Sequence, residues 1–332
     1  MSKLIAINGF GRIGRLALRA MLSNKSLKVV AVNDLAKADI SSHLFKYDSV
    51  HGTFDGSVSV QDGQLRINGS SIGMLSISDP GHLPWNKLGV DIVMECSGRF
   101  VDKKKAAAHL NAGAKKVIVS APCKNADATV VYGVNHKQIQ NCHRVISAAS
   151  CTTNCLAPIA KVINGRFGIE KGHMTTVHAY TGDQNLIDTA HKKDFRRARA
   201  AAVNIIPTST GAAKAIDLVI PELAGKLTGT ALRVPAPNVS LIDFSFSSKQ
   251  KVTSGQINDA IKDAASSSMK GIISICEDEI VSSDCNHTCF SAIFDATQTC
   301  VTDGNFCRIM AWYDNEWAFV HRMIDIAEYI SV

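Results

Sequence analysis

The 332-residue chain is expected to fold as an α/β half followed by an α+β half, and three observations predict this. At this length a single hydrophobic core usually gives way to two domains. In the first 150 residues short apolar runs alternate with helix-forming stretches, the pattern of a parallel sheet covered on both faces. Beyond residue 150 the apolar runs lengthen and alternate with polar residues, as in a mixed or antiparallel sheet with helices on one side.

Taken in order, the strands expected in the first half are residues 4–8 (LIAIN), 28–34 (KVVAVND), 91–97 (DIVMECS), 116–120 (KVIVS) and 145–149 (VISAA). Residues 12–23 (RIGRLALRAMLS) and 102–113 (DKKKAAAHLNAG) have helical composition, and Asn111 and Gly113 close the second. A helix over 152–164 opens the second half. Residues 173–180 (HMTTVHAY), 238–247 (NVSLIDFSFS) and 306–314 (FCRIMAWYD) then read as half-buried strands. Residues 181–202 carry few apolar positions and many charges, which predicts a long ordered loop, uncommon without a function. The apolar period over 317–330 predicts a closing helix. The expected division is 1–150, 151–315, and a C-terminal helix over 316–332 that returns to the first domain.

With 46% hydrophobic and 20% charged residues the composition is that of an ordinary soluble globular protein. No apolar run approaches the roughly 20 residues of a membrane span, and the first residues lack the apolar middle of a secretory signal. A cytoplasmic location is therefore expected. Ten cysteines without regular spacing are then expected to be reduced. The net charge of +7 suits small anionic substrates. No base-stacking motif accompanies the basic runs, which leaves nucleic acid only as a secondary partner.

Directly after the first strand comes Gly9-Phe10-Gly11-Arg12-Ile13-Gly14, a GxGxxG that opens a helix, and Asp34 ends the next strand. Strand, glycine turn, helix and a distant acid together predict a Rossmann-type dinucleotide site. The glycines permit a tight turn and close approach of a pyrophosphate to the N–H groups of the helix start. Asp34 either accepts the ribose hydroxyls, favouring NAD over NADP, or caps the following helix.

The stretch SAASCTTNCLAP places Cys151 between a strand and a helix start, where free N–H groups and the helix dipole favour a thiolate. Cys155, one turn deeper and in register with Ile159 and Ile163, reads as a core residue. A shared metal is disfavoured because no second ligand pair of zinc spacing accompanies them. Cys285, His287 and Cys289 are the nearest alternative, with ligands that could share one face of a strand, and no metal is expected. Most of the eleven histidines fall in contexts where a solvated role is the default. His178 differs, since it sits in an apolar strand just ahead of the long loop, and a Cys/His pair beside a hydride acceptor points to aldehyde oxidation through a covalent thiohemiacetal.

From end to end the chain resembles the phosphorylating glyceraldehyde-3-phosphate dehydrogenases, through INGFGRIGR, KYDSVHG, GAKKVIVSAP, SAASCTTNCLAP, TTVHAYTGDQ, RRARAAAVNIIPTSTGAAKA, LRVPAPNVS and AWYDNEW. The resemblance implies that Cys151 is the nucleophile and His178 its base. Thr181 and Arg233 match a substrate-phosphate pocket, Ser150, Thr152, Thr210 and Gly211 a pocket for inorganic phosphate, and Arg197 a residue near both. Arg12, Ile13, Asp34, Ser97, Gly98, Ser120 and Asn315 match cofactor contacts. The implied activity is oxidation of glyceraldehyde 3-phosphate with NAD and phosphate by a homotetramer. The alternative is the related erythrose-4-phosphate dehydrogenase, whose members tend to lack the threonine-rich loop kept here at 207–213. Departures from the family pattern are Gly182 for an asparagine, Ser78 for an arginine, Phe319 for a tyrosine, and Thr189-Ala190, whose small residues leave NADP use open.

Overall fold

In the computed structural model, which describes residues 2–192 and 194–331, the chain folds as two units. The first comprises residues 2–132, 136–149 and 320–331, and the second residues 133–135 and 150–319.

The first unit contains β1 (Lys3–Asn8), α1 (Arg12–Met21), β2 (Leu27–Asn33), α2 (Ala38–Lys46), β3 (Val58–Gln61), β4 (Gln64–Ile67), β5 (Ser70–Leu75), β6 (Ile92–Glu95), α3 (Lys103–Ala106), α4 (Ala108–Asn111), β7 (Lys116–Val119), β8 (Ala128–Thr129) and β9 (Val145–Ser147). They form one nine-stranded sheet in the order β3-β4-β5-β2-β1-β6-β7-β9-β8. From β5 to β8 every neighbour is parallel, and β3 and β4 add an antiparallel edge. The order runs outward from β1 to β2 on one side and from β1 to β6 on the other, so the switch point lies between the carboxyl ends of β1 and β6. In such sheets that crevice takes the ligand. β1 and β6 are buried along nearly their whole length, as two-sided parallel strands require.

Where one helix is expected over 102–113, two four-residue turns stand instead. The chain tightens at Ala107, whose carbonyl accepts from the Leu110 N–H three residues on as well as from Asn111. His109 thereby faces inward and is fully buried.

The second unit contains α5 (Cys151–Phe167), β10 (Ile169–Ala179), β11 (Ile206–Ser209), α6 (Ala212–Val219), β12 (Leu227–Val234), β13 (Ser240–Ser248), α7 (Ser254–Ser266), β14 (Ile273–Cys276), β15 (Ala292–Thr302), β16 (Phe306–Tyr313) and the start of α8 (Trp317–Tyr329). Its seven-stranded mixed sheet runs β11-β12-β10-β13-β16-β15-β14. The three alternating stretches read from sequence are β10, β13 and β16, which pair antiparallel side by side. On β13, Ile242, Phe244 and Phe246 are buried while the residues between them are half-exposed, the period-2 signature of a sheet with one covered face. Residues 180–205 contain no helix or strand among the described residues, as the loop reading expects.

Candidate active site

In the first unit, a cavity of about 290 Å³ opens at the switch point and is lined by residues that include Asn8, Gly9, Gly11, Asp34, Ser97 and Phe100. The three glycines of the motif do different work. Gly9 has φ +91, and a Cβ there would lie 2.5 Å from Ser97 Cα. A Cβ on Gly14 would overlap the Gly9 carbonyl oxygen, so this glycine lets α1 close onto the turn. Around Gly11 a Cβ would meet nothing within 4 Å. Its bareness therefore serves no protein contact and leaves the backbone open to a ligand, which fits a pyrophosphate cradle.

Asp34 does not cap α2, whose N-cap is Lys37. One carboxylate oxygen accepts from the Phe10 N–H at 2.6 Å and the other from the Ala36 N–H at 2.8 Å. The acid at the end of β2 thus ties down the glycine turn while it lines the cavity. Arg12 forms a fork to Asp48 at 2.9 and 3.2 Å. Burial works to raise the Asp48 carboxyl, but the His51 and Val50 N–H groups and Arg12 hold it down at about 2. Ile13 is half-buried in the first turn of α1. Gly98 takes φ +70, and the Ser120 N–H donates to the Glu95 carbonyl at 3.0 Å. Ser97 is committed inward: its hydroxyl donates to Glu95 and accepts from the Arg99 N–H at 3.1 Å.

In the second unit, Ser150 caps α5 and accepts from the Thr153 N–H at 3.1 Å, making Cys151 the first helical residue. Ala149 ahead of it takes φ 59, a left-handed conformation that turns the chain sharply from strand to helix. Cys151 Sγ lies 3.5 Å from His178 Nε2. Cys155 is fully buried, with its sulfur 4.0 Å from the Ala311 carbonyl and no access to the histidine's partners. Of the two cysteines, Cys151 lies beside His178 and Cys155 lies in the core.

His178 Nδ1 is 2.7 Å from the Ala179 carbonyl. Arg233 Nη1, a donor, lies 2.8 Å from the same nitrogen, so the tautomer depends on which neighbour Nδ1 serves: with Nδ1–H given to the carbonyl, Nε2 presents a lone pair to the Cys151 thiol. Arg233, beside His178 in the β10–β12 register, places Nη1 2.9 Å from the same carbonyl. Burial pushes the Cys151 thiol up, against the Arg233 charge and the N–H groups of Thr152 and Cys151. Burial, then Arg233, push His178 down. Transfer of the proton from Sγ to Nε2 leaves the total charge of the pair unchanged. The ion pair so formed would gain the attraction of opposite charges at close range, which works against the burial that penalises each ion alone.

The remaining predicted residues fall around this pair to different degrees. Arg233 Nε is buried with no hydrogen-bond partner among the described residues. Arg197 bonds Thr208 Oγ1 at 3.0 Å and pairs with Asp183. Thr181 starts the long loop, and Gly211 caps α6 next to Thr210, whose hydroxyl accepts from the Ala212 N–H at 3.2 Å. Thr152 is buried, and its hydroxyl lies 2.8 Å from that of Tyr313. Asn315 Oδ1 accepts from Ser240 at 2.8 Å, which fixes the amide and leaves its NH2 as the free end.

Sequence reasoning missed Tyr313, whose hydroxyl bridges Thr152 and Thr176 at 2.8 Å each and whose ring stands edge-on to His178. It also missed Asn33 and Ile77 in the cavity wall. A polar residue closing an apolar strand was the available signal. Cys285, His287 and Cys289 do not share a strand: residues 282–285 form a 3-10 turn, Cys285 is buried, and His287 stacks on Trp317 at 4.0 Å.

A strand-turn-helix dinucleotide cradle in one unit and a thiol in the first turn of a helix, beside a buried histidine, in the other are the features of a thiol-dependent dehydrogenase. The chain matches the models of the glyceraldehyde 3-phosphate dehydrogenase NAD-binding domain over residues 3–103 and of its C-terminal domain over residues 150–315. It is 55% identical over 329 residues to glyceraldehyde-3-phosphate dehydrogenase of Xanthobacter flavus, covering 98% of both chains. To the enzyme of Geobacillus stearothermophilus it is 53% identical over 332 residues, covering 100% of this chain and 99% of the relative. To glyceraldehyde-3-phosphate dehydrogenase 1 of Bacillus subtilis it is also 53% identical over 332 residues, with the same coverage. The chain belongs to the glyceraldehyde-3-phosphate dehydrogenase family.

Proposed function

We propose that the chain oxidises D-glyceraldehyde 3-phosphate to 1,3-bisphosphoglycerate with NAD and inorganic phosphate, and that Cys151 and His178 carry the chemistry. The observation that supports this most directly is the 3.5 Å approach of Sγ to Nε2 at the first turn of α5. Cys151 sulfur adds to the aldehyde carbon as His178 Nε2 takes the thiol proton. The oxyanion meets the Cys151 N–H and the His178 Nε2–H. NAD, when bound, accepts the hydride from that carbon. The proton on Nε2 passes to that oxygen to give the thiohemiacetal hydroxyl and returns to His178 as the hydride leaves, so that a thioester remains on Cys151. A phosphate oxygen then attacks the thioester carbon, the C–S bond breaks, and the acyl phosphate leaves the thiolate behind.

Arg233 and Thr181 are assigned to the substrate phosphate, and the place of Arg233 beside His178 supports this for the arginine. Ser150, Thr152, Thr210 and Gly211 are assigned to the attacking phosphate, and Arg197 to a place near both. The backbone N–H groups of the first α5 turn would add donors to these hydroxyls. Gly9, Gly11, Arg12, Ile13, Gly14, Asp34, Ser97, Gly98 and Ser120 are assigned to the dinucleotide, with Asn315 NH2 for its carboxamide. The relatives' names favour the triose over erythrose 4-phosphate.

A homotetramer is the proposed assembly. Leu186, Ile187, Phe195, Val203 and Ile205 on or just after the long loop are between 69% and 97% exposed, a concentration that a monomer rarely shows. No helix of the described residues is long and apolar enough to cross a membrane, and all ten cysteines are free, which supports a cytoplasmic site of action. The deciding assay compares wild type, Cys151→Ser and Cys155→Ser with each aldehyde, with and without phosphate. Preference for the tetrose, or turnover independent of phosphate, would refute the assignment.

A further inference from the structure

Three polar residues, Asn33, Asn8 and Glu95, stand in lateral register at the carboxyl ends of the adjacent parallel strands β2, β1 and β6. All three side chains are buried, and Glu95 is 1% exposed. Glu95 Oε1 accepts from the Ser97 N–H at 2.8 Å and from the Ser97 hydroxyl. Oε2 accepts from Asn8 Nδ2 at 2.6 Å and from His109 Nε2 at 2.9 Å. Only a carboxylate offers acceptors for all of these donors at once.

The histidine brings no positive charge. Trp85 Nε1, a donor only, lies 3.0 Å from His109 Nδ1, so that nitrogen carries a lone pair and the imidazole proton sits on Nε2. Glu95 is therefore a buried anion held by neutral donors, an arrangement tolerated only when every lone pair is used. From Asn8 the network continues: Asn8 Oδ1 accepts from Asn33 Nδ2 at 2.7 Å, and the Asn33 amide exchanges two hydrogen bonds, each 2.9 Å, with the Ile77 backbone.

Glu95 itself does not line the cavity at the switch point, yet Asn8, Asn33, Ile77 and Ser97 all do. Ser97 is also the residue against which Gly9 packs without room for a Cβ. We infer that Glu95 is a positioning residue for the dinucleotide: from behind the cavity one carboxylate fixes the spacing of the β1, β2 and β6 ends on which the cofactor is laid. This rests on the reading of that cavity as the dinucleotide site.

Glu95→Gln is the direct test. Gln can keep both Ser97 contacts on its oxygen, but its NH2 then faces two donors, Asn8 Nδ2 and His109 Nε2–H. Relief by flipping Asn8 passes the mismatch to Asn33, and relief by moving the histidine proton passes it to Trp85. The dissociation constant for NAD, measured by calorimetry on the folded variant, is expected to rise at least about tenfold, roughly 1.4 kcal/mol. kcat at saturating NAD and the alkylation rate of Cys151 by iodoacetamide without cofactor are expected to stay within about twofold.

A merely structural role would lower stability and leave the affinity of the folded molecules unchanged. Should Glu95→Gln fail to fold, His109→Gln, which spares the carboxylate, is expected to weaken NAD about threefold or more. NAD affinity within twofold of wild type, in Glu95→Gln or in His109→Gln as its substitute, overturns the inference. Gly11→Ala separates the two levels: if it also leaves NAD affinity unchanged, the reading of the cavity itself is wrong.

Discussion

Substituting alanine at each of the three motif glycines should give three different phenotypes, because each lacks a Cβ for a different reason. At Gly14 the new methyl would overlap the Gly9 carbonyl oxygen and press to 3.1 Å from Ile7 Cγ2, both on β1 or its turn. Nothing flexible can yield, so α1 must lift from the strand. Overpacking of this kind costs about 1–3 kcal/mol or more, against about 1 kcal/mol regained in helix propensity. Net destabilisation of at least about 1 kcal/mol is expected, with NAD binding lost in parallel. Gly9→Ala adds left-handed strain of about 1–2 kcal/mol at φ +91 to its overlap with Ser97. Gly11→Ala meets no protein atom within 4 Å. Its only protein cost is a poorer N-cap for α1, under about 1 kcal/mol, while NAD affinity should fall at least about tenfold as the methyl enters the pyrophosphate's place. Urea unfolding gives the stabilities and calorimetry gives the NAD affinities. Wild-type stability in Gly14→Ala, or wild-type NAD affinity in Gly11→Ala, would refute this division of labour.

Cys151→Ser should lower phosphorylating turnover by at least about 10³-fold, whereas Cys155→Ser should keep it and lose about 1–3 kcal/mol of stability by placing a hydroxyl in the core, as steady-state rates and urea melts will show. Asp34→Ala should raise the NADP-to-NAD ratio of kcat/KM and also weaken NAD itself, because it frees the Phe10 N–H as well as the ribose side; unchanged NAD kinetics would contradict the contact. The Asp48 carboxyl is held at about 2, below its unfolded value, so its contribution is present above about pH 4 and is lost as pH falls toward 2. Wild type should exceed Asp48→Asn in unfolding free energy by about 2 kcal/mol at pH 7, and the gap should close in acid. Phe195→Asp, at a side chain 97% exposed, should shift the assembly to smaller species in sedimentation without unfolding it.

Sequence patterning recovers those elements in which burial imposes a strong period. β1, α1 and β2 are legible because a two-sided strand, a glycine turn and an amphipathic helix follow one another, and β10, β13 and β16 because only one face of their sheet is covered. β3, β4 and β5 escape notice: they are four to six residues long, and β3 has no buried side chain. The broken helix over 102–113 was hidden for a different reason, since its composition is helical throughout and the bend serves to aim one tertiary partner, His109, inward. His109 also shows where the default of a solvated histidine fails, because burial of both ring nitrogens depends on Trp85 and Glu95, which lie far from it in sequence.

Yet the signal for that interior network was present in the strands themselves. LIAIN ends in Asn8, KVVAVN in Asn33 and DIVME in Glu95, each a polar residue closing a run that is otherwise fit only for the core. A buried polar side chain is costly unless paired, so each demands a partner, and in a parallel sheet the partners nearest to hand are the equivalent ends of neighbouring strands. Adjacent strands that end alike therefore predict one shared network at the carboxyl edge, where the same sheet binds its ligand. The register bears this out for all three residues, and the hydrogen bonds run strand to strand from Ile77 through Asn33 and Asn8 to Glu95. On the proposed assignment the glycines would admit the cofactor, and the polar strand ends would hold the floor beneath it.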